Sequence, residues 1–285
     1  MRFAITATDR YLGVFQSFIE RGWQPLKLFT PPVYQRMHHH RAVIDYAARL
    51  KIDVQLTRLD EQNLRELSEA GCEALIVASY PWRIADWRPH LRYAVNFHPS
   101  PLPLGRGPYP LPGAILENLP AWGVSCHKLE PEFDTGDVLR SVLFPLAADE
   151  DHDSLDIKVQ LALRRVAGEV ATHFESDWNA ARAQSSGSYH SLWTQEERQL
   201  DFTQTVAQIL RRVRAFGPIE TLVPVNGALL FVRRAVGWCE AHSLKPGQVV
   251  NVNGQALLFA VADGYIGLTE WSLIDPDART GTAPG

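Results

Sequence analysis

The sequence predicts an α/β protein with two domains, a Rossmann-like domain on a doubly wound parallel sheet and a small C-terminal β-barrel that is OB-like. Three observations predict this. Short apolar runs alternate with segments of helical periodicity in the first part of the chain, one long helical segment follows, and short runs separated by turn signals come last. A length of 285 residues with 46% hydrophobic side chains is enough for two modest cores.

The first part of the chain alternates between two periodicities. Strands are predicted where apolar and β-branched residues run together, at 3–6, 26–29, 54–56, 74–78 and 93–97. Helices are predicted where apolar residues recur at i, i+3 and i+4, at 14–20, 42–50 and 62–70. Because strand–helix–strand repetition with short links is typical of parallel sheets, we expect binding residues at the carboxyl ends of these strands.

The pattern changes after a helix predicted over 153–183. A polar link of small residues follows, so we place the domain boundary there and assign domains to 1–184 and 185–274. In the second domain a helix is predicted over 205–215 and strands over 227–232, 247–252, 256–261 and 266–272, with turns at Asn253-Gly254 and Asp263-Gly264. The tail 275–285 is rich in Asp, Pro, Gly and Thr and is predicted to be disordered.

Composition excludes several classes of protein. The 28 Lys and Arg against 32 Asp and Glu give a net charge of −4, so the whole chain has no electrostatic preference for a polyanion. The three cysteines are widely spaced in apolar surroundings and are predicted to be reduced core thiols. No run approaches the ~20 apolar residues that cross a bilayer, so no membrane role is expected and the predicted location is cytoplasmic.

The stretch from Val95 to Gly107 carries the main chemical signal. Asn96 and His98 are two residues apart at the end of a predicted strand, so both side chains project from one face, and Pro99 ends the ladder there. The next strand, predicted over 123–129, runs into an acidic turn that contains Asp134. Neighbouring strands of a doubly wound sheet would bring this turn beside Asn96 and His98.

An Asn, a His and an Asp at one strand end suit acyl transfer to an amine. The Asn amide can donate to a developing oxyanion, the His can accept a proton, and the Asp can orient the ring. No Gly-x-Ser-x-Gly elbow is present and no cysteine lies near the His in the sequence. We therefore expect a substrate amine to attack a bound acyl donor directly.

These residues resemble the folate-dependent formyltransferases. The resemblance rests on Asn96-x-His98-Pro99-Ser100, then Leu102-Pro103 and Arg106-Gly107, then Gly123-Val124-Ser125 and His127, and finally 133–137, Phe-Asp-Thr-Gly-Asp. It covers about residues 1–272 and is strongest over 74–145, and the second domain resembles the C-terminal barrel of the methionyl-tRNA and arabinose enzymes. Two departures are Pro101 for a usual Leu and Gly105 for a usually larger residue.

The resemblance implies transfer of a formyl group from 10-formyltetrahydrofolate to a primary amine. It implies that Asn96 is the oxyanion donor, His98 the proton acceptor and Asp134 the carboxylate that raises the His98 pKa. The expected pterin contacts, largely through main-chain groups, are Tyr80, Trp82, Arg83, Ile84, Glu132, Phe133 and Gly136. The expected acceptor contacts are Thr8, Arg10, Arg106 and Tyr109, of which Tyr109, like Trp82, could equally be a core side chain.

Other polar residues near the motif have more ordinary explanations. His127 is expected to be a packed or hydrogen-bonded residue, and Asp137 to brace the acidic turn. The run His38-His39-His40 is not expected to bind a metal, because adjacent histidines point in different directions. It is expected to form a solvated loop, with an anion contact as the second interpretation. No metal is therefore predicted.

The acceptor is predicted to be a small-molecule amine, either a nucleotide-linked amino sugar or an amino-acid-derived metabolite. Residues 185–285 contain eight Lys and Arg against nine Asp and Glu, whereas a tRNA-binding barrel should be basic. The segment 30–40 also lacks a long Lys-rich insertion. The first alternative is a methionyl-tRNA formyltransferase. The others are a 10-formyltetrahydrofolate hydrolase and a non-catalytic folate- or RNA-binding module, and a homodimer is possible.

Overall fold

The computed structural model describes residues 1–32, 39–225, 227–253 and 256–273. It divides into two compact units, each made of several chain segments. The first unit contains 1–110, 121–145 and 157–189, and the second contains 111–120, 146–156 and the chain from 190 onward. His38, the turn at Gly254 and the tail 275–285 lie outside the described residues. The predicted division at 184/185 stays a prediction.

Twelve strands are described, in two sheets. In chain order they are β1 Arg2–Ala7, β2 Gln24–Phe29, β3 Asp53–Gln55, β4 Ala74–Ala78, β5 Tyr93–His98, β6 Ala121–Lys128, β7 Val138–Pro145, β8 Thr221–Val225, β9 Ala228–Cys239, β10 Val249–Asn253, β11 Ala256–Val261 and β12 Gly264–Leu273.

Seven α-helices are described, and the predicted ones fall within a few residues of their expected bounds. They are α1 Leu12–Glu20, α2 Arg41–Leu50, α3 Glu61–Glu69, α4 Leu111–Leu116, α5 His152–Asn179, α6 Gln195–Arg198 and α7 Val206–Phe216. No helix in the described part of the chain is both long and apolar enough to cross a membrane.

The first unit is built on a seven-stranded sheet with the order β3-β2-β1-β4-β5-β6-β7. The strands from β3 to β5 are parallel, which confirms the Rossmann-like prediction. The last two pairs, β5 with β6 and β6 with β7, are antiparallel, so the sheet is mixed. The connection between β6 and β7 is too short for the crossover that a parallel pair requires.

The centre of this sheet is buried on both faces. Every residue of β4 is buried, and Ala94, Val95 and Phe97 of β5 are almost fully enclosed. Central parallel strands need apolar side chains on both sides, which is why these strands are continuous apolar runs. The polar residues Asn96 and His98 stand out against this background.

The second unit contains a five-stranded antiparallel sheet with the order β10-β11-β12-β9-β8. Its core packs α7 against the sheet through Ile209, Val213, Val232, Phe259 and Ile266. The predicted antiparallel β-domain is confirmed. The strands β10 and β8 lie at the two edges of this sheet. In the part of the chain that the structure describes, these two edge strands do not pair with each other.

Candidate active site

Asn96 and His98 lie on β5, one of the central strands, at its carboxyl end. They are two residues apart, so their side chains leave the same face of the sheet, as the sequence predicts. Asn96 is half-buried and the His98 side chain is only 6% exposed. A polar pair is therefore held in an apolar sheet and needs partners from other elements.

Asp134 supplies the third side chain. Its Oδ1 lies 3.3 Å from His98 Nδ1 and accepts a hydrogen bond from Asn96 Nδ2 at 3.3 Å. Its Oδ2 accepts from the main-chain N–H of Gly107 at 2.8 Å. The residue has φ +58°, in the left-handed region that Asp tolerates better than most residues. The structure thus brings Asn96, His98 and Asp134 together.

The route by which Asp134 arrives differs from the expected one. Because β6 is antiparallel to β5, its last residue Lys128 pairs with Val95, on the amino side of Asn96. The loop between β6 and β7 has to fold back over the end of β5 to bring Asp134 to His98. If β6 were parallel to β5, its last residue would lie beside the carboxyl end of β5, and the loop would not need to fold back.

His127 belongs to the same cluster. It is the register partner of Asn96 on β6, and its Nε2 lies 3.0 Å from Asn96 Nδ2 and 3.5 Å from Asp134 Oδ1. Its Nδ1 lies 2.7 Å from the carbonyl oxygen of Lys128. A neutral His127 can donate to that carbonyl and accept from Asn96. Both amide hydrogens of Asn96 then face acceptors inside the cluster.

His98 has an oxygen at each ring nitrogen. Its Nε2 lies 2.9 Å from the carbonyl oxygen of Gly105, and its Nδ1 faces Asp134. A neutral ring has one N–H, so one of these contacts lacks a hydrogen until the ring takes up a second proton.

Burial lowers the pKa of His98 below its ordinary value, against the opposing effects of Asp134 and the Gly105 carbonyl. Asp134 does raise the pKa of His98, as expected, but burial lowers that pKa by more. The ring is therefore neutral at neutral pH and arranged to accept a proton.

The carboxyl group of Asp134 is ionised over the same range. Burial alone would raise its pKa, but His98, His127 and the Gly107 N–H outweigh burial and lower the pKa to about 2. An ionised carboxylate beside a neutral imidazole can stabilise the charge that the ring acquires. A proton taken up by His98 therefore places a positive charge directly beside the negative charge of Asp134.

The two expected cofactor loops meet beside the cluster. The guanidinium of Arg83 lies 4.9 Å from the centroid of the Phe133 ring, and Phe133 is 47% exposed. Trp82 packs edge-on against Tyr80 at 5.3 Å, and the Tyr80 hydroxyl accepts from the N–H of Leu59 at 2.6 Å. The Tyr80 side chain therefore anchors its loop.

The main chain in these loops suits an extended polar ring system. In the described part of the chain, the backbone groups of Trp82, Arg83 and Ile84 form no hydrogen bond with other backbone groups. Unpaired N–H and C=O groups beside an exposed aromatic ring fit a pterin, which has donors and acceptors along its edge. Glu132 is exposed, and its carbonyl accepts from the hydroxyl of Thr135 at 3.0 Å.

Gly136 is confined by its neighbours. A Cβ at this position would lie 2.0 Å from the carbonyl oxygen of Lys128, so only glycine fits the return of the loop. Asp137, the next residue, pairs with Lys128 at 3.2 Å, which agrees with the predicted bracing role.

The four expected acceptor contacts have different surroundings. Thr8 is buried at the end of β1, where its hydroxyl has no partner among the described residues, and Arg10 lies over the ring of Tyr11. Burial raises the pKa of Tyr109, and Arg10 is near enough to oppose this. Arg106 is held by another residue, Gln184, through hydrogen bonds of 3.1 and 2.9 Å. Sequence analysis assigned no role to Gln184.

The described histidines of the His38-His39-His40 run have local contacts. The carbonyl of His39 accepts from the N–H of Asp9, and His40 Nδ1 lies 2.8 Å from the carbonyl of Pro31. Among the residues that the structure describes, no group of three or more His, Cys, Asp or Glu side chains is arranged to hold a metal ion.

Comparisons with known proteins show what this chain is similar to. The family model described as "Formyl transferase, C-terminal domain" matches residues 193–280. The methionyl-tRNA formyltransferase of Janthinobacterium sp. (strain Marseille) is 29% identical over 273 residues, which are 93% of this chain and 83% of the relative. That of Hahella chejuensis is 24% identical over 87% of this chain and 77% of the relative.

Solved structures share the fold at lower identity. HypX from Aquifex aeolicus in complex with tetrahydrofolic acid matches 96% of this chain with a TM-score of 0.70 and 21% identity, and this chain spans 44% of the HypX chain. The N-formyltransferase from Helicobacter canadensis, in complex with folinic acid and dTDP-3-aminofucose, matches 95% of this chain and 99% of its own, with a TM-score of 0.68 and 14% identity.

The fold, the Asn–His–Asp cluster and these matches define a one-carbon transferase that acts on formyl groups. Over most of its length the chain is therefore similar to the folate-dependent formyltransferases.

Proposed function

We propose that this enzyme transfers the formyl group to the primary amine of a small molecule, a nucleotide-linked amino sugar or an amino-acid-derived metabolite. The observation that carries the choice of acceptor is the state of the cations in the second unit. A tRNA-binding surface needs Lys and Arg side chains turned toward phosphates. In this unit most of those side chains already bind acceptors of the protein itself.

Seven cationic side chains lie in the described part of 190–273, and five of them are engaged within the unit. Arg233 pairs with Asp153 at 3.2 Å, and Arg234 pairs with Glu270 at 3.1 Å. The other three donate to main-chain carbonyl oxygens: Arg198 to Ile219, Arg212 to Glu197 and Arg214 to Glu150. The unit therefore offers few charges for counterion release on a polyanion.

The reaction step assigns one task to each member of the cluster. 10-Formyltetrahydrofolate supplies an electrophilic formyl carbon when it is bound. Asn96 donates to the oxygen on which negative charge develops, and one of its two internal contacts must open for this, the 3.3 Å contact with Asp134 being the longer. His98 accepts the proton that the attacking amine loses, and ionised Asp134 stabilises the resulting imidazolium. His98 then returns this proton to the tetrahydrofolate nitrogen as the bond between that nitrogen and the formyl carbon breaks.

The co-substrate is held by the two loops beside the cluster. Main-chain groups of Trp82, Arg83 and Ile84 are available to its pterin, and Phe133 offers a ring face. Arg83 links the loops through its contact with Phe133. Glu132 and Gly136 shape the second loop through their main chain. Thr8, Arg10, Arg106 and Tyr109 remain the proposed acceptor contacts.

The second candidate function is formylation of methionyl-tRNA. It is favoured by the names of the curated relatives, of which the Janthinobacterium enzyme matches 93% of this chain. The two candidates share the formyl donor and the Asn96–His98–Asp134 cluster, and they differ only in the acceptor.

One assay separates the two candidates. Purified enzyme is given 10-formyltetrahydrofolate, and tetrahydrofolate release is followed across amino-sugar nucleotides, hydroxylated ornithine and charged initiator tRNA. We expect release to be stimulated by one of the small amines and not by the tRNA. Stimulation by the tRNA alone would establish the second candidate instead. An enzyme variant with Asp134→Asn is the control for uncatalysed breakdown of the donor.

A further inference from the structure

The segment 184–188 is here called the Gln184 segment. It packs within the first unit along the loop that follows β5. Ser188 Oγ accepts from the N–H of Gly105 at 2.8 Å, and the Ser188 carbonyl accepts from the N–H of Arg106 at 3.0 Å. A Cβ on Gly187 would lie 1.9 Å from the carbonyl oxygen of Pro103. This contact needs glycine, so the chain is closely fitted here.

The side-chain amide of Gln184 connects two loops of the active site. Its Nε2 donates to the carbonyl oxygen of Asp134 at 2.9 Å and to that of Gly136 at 2.7 Å. Its Oε1 accepts from Arg106 Nε at 3.1 Å and from Arg106 Nη2 at 2.9 Å. Two donors and two acceptor sites are the full capacity of a glutamine amide, and all four are used.

These contacts act on a strained part of the chain. Asp134 has φ +58°, in the left-handed region that is unfavourable for residues with a Cβ. Gln184 binds the carbonyl of Asp134, while the N–H of Gly107, next to Arg106, binds its carboxylate. The main chain of Asp134 is thus connected to the loop after β5 through Gln184 and Arg106, and its side chain is connected to the same loop through Gly107.

We propose that Gln184 is a positioning residue for formyl transfer, which holds the loop of Asp134 in the conformation that directs its carboxylate at His98. The proposal rests on the proposed role of the Asn96–His98–Asp134 cluster. Gln184 acts through Asp134 and touches neither ring nitrogen of His98, so it is not a catalytic residue.

The test uses Gln184→Glu, because glutamate keeps an oxygen for Arg106 and replaces the amide donor by a second oxygen. Two carbonyl oxygens would then face an acceptor. We expect kcat to fall by ~10-fold to ~100-fold, the scale of a displacement of about 1 Å in a catalytic group, with the acceptor KM changed by less than about threefold. Gln184→Leu removes both halves of the amide and should lower kcat at least as far.

The matched control is Gln62→Leu. Gln62 is an exposed glutamine on α3 whose amide donates only to Glu66, at 3.1 Å. We expect kcat and the acceptor KM of this variant to equal those of the unchanged enzyme. Gln184→Asn is the conservative variant, and because its side chain is one carbon shorter we expect only partial rescue.

A second readout separates positioning from a loss of stability. The groups that face His98 are Asp134, His127 and the Gly105 carbonyl, and of these Asp134 and the carbonyl raise the His98 pKa. If Gln184 holds Asp134 in place, the uncharged variants Gln184→Leu and Gln184→Asn should lower the pKa of His98, measured by NMR titration of the ring in folded protein. A purely structural role would lower Tm and leave this pKa unchanged.

The outcomes are distinguishable. Unchanged kcat in Gln184→Glu together with an unchanged His98 pKa in Gln184→Asn would overturn the proposal. A lowered His98 pKa in a protein that formylates no amine would retain the positioning role and contradict the proposed function. If Gln184→Leu does not fold, Gln184→Glu and Gln184→Asn still decide the question, since both keep a polar partner for Arg106.

Discussion

Asn96 and His127 face each other on antiparallel strands, with the amide nitrogen of Asn96 3.0 Å from Nε2 of His127. Each of them also contacts Oδ1 of Asp134, so the carboxylate is the common partner of an amide and two imidazoles. The catalytic triad expected from the sequence is therefore a cluster of four side chains.

The first prediction concerns Asp134 and His98 as a pair. Asp134→Asn and His98→Ala should each lower kcat by at least ~10²-fold, because general acid–base catalysis contributes ~10²–10⁴-fold. Binding of the folate should survive, since we assign it mainly to main-chain groups. The double variant should be little worse than either single one, because the two residues act as a unit. Losses that multiply would indicate independent roles.

The second prediction is a pH dependence with a defined sign. His98 acts when neutral, so kcat should fall as pH drops through its pKa, and burial sets that pKa below the ordinary 6.5. Asp134 raises the pKa of His98, so Asp134→Asn should move the inflection to still lower pH. The measurement is kcat against pH for both proteins. An inflection that moves upward in the variant would contradict the assigned roles.

The third prediction concerns Gly105, which departs from the residue usual in the family. It has φ +73°, and a Cβ there would lie 2.8 Å from the Trp122 ring and 2.9 Å from Ser100. Gly105→Ala should lower the free energy of unfolding by ~1–2 kcal/mol for the backbone and by about another 1–3 kcal/mol for overpacking. It should also lower kcat, because the Gly105 carbonyl faces His98.

Gly22→Ala is the control for Gly105→Ala in urea unfolding. Gly22 has φ +79° but nothing within 4 Å of an added Cβ, so only the backbone term of ~1–2 kcal/mol applies. Equal losses of unfolding free energy in the two variants would mean that Trp122 and Ser100 move away from the added Cβ without cost.

The fourth prediction is a weak effect of salt on acceptor binding. With five of its described cations engaged, the second unit should release few counterions, so the acceptor KM should change less than about threefold between 50 and 200 mM salt. A protein with 6–10 phosphate contacts would lose ~10³–10⁵-fold in affinity over that range. A loss of tenfold or more with initiator tRNA as acceptor would contradict the small-molecule proposal.

Much of the fold follows from local sequence patterns. The predicted strands that became β1 to β5 are apolar runs in a buried parallel sheet, and such runs are recognisable without knowledge of their neighbours. The strand β8 was not predicted because Pro224 interrupts it, and proline is normally confined to edge strands. The helix α4 was not predicted because its six residues include Pro112 and Gly113, the two weakest helix formers.

The site was predictable only as far as its motif extends. Asn96 and His98 are neighbours on one strand face, and Asp134 follows from the acidic turn after the next predicted strand, with the family resemblance in support. His127 entered the cluster through the antiparallel register of β6, and no local pattern in the sequence specifies that register. Gln184 lies 50 residues from the Asp134 carbonyl that it binds and sits among small polar residues that favour a linker interpretation.

The interleaving of the two units bears on how this enzyme can be dissected. Nearly every residue of the helix α4 is buried, and α4 packs against α7 within the second unit. The two helices are far apart in the sequence, with 94 residues from Pro112 to Val206. An expressed fragment that stops at residue 184 would carry α4 without its partner and expose Leu111, Ala114 and Ile115. Such a fragment should aggregate, and exchange of the C-terminal half between relatives would succeed only if α4 and residues 146–156 were exchanged with it.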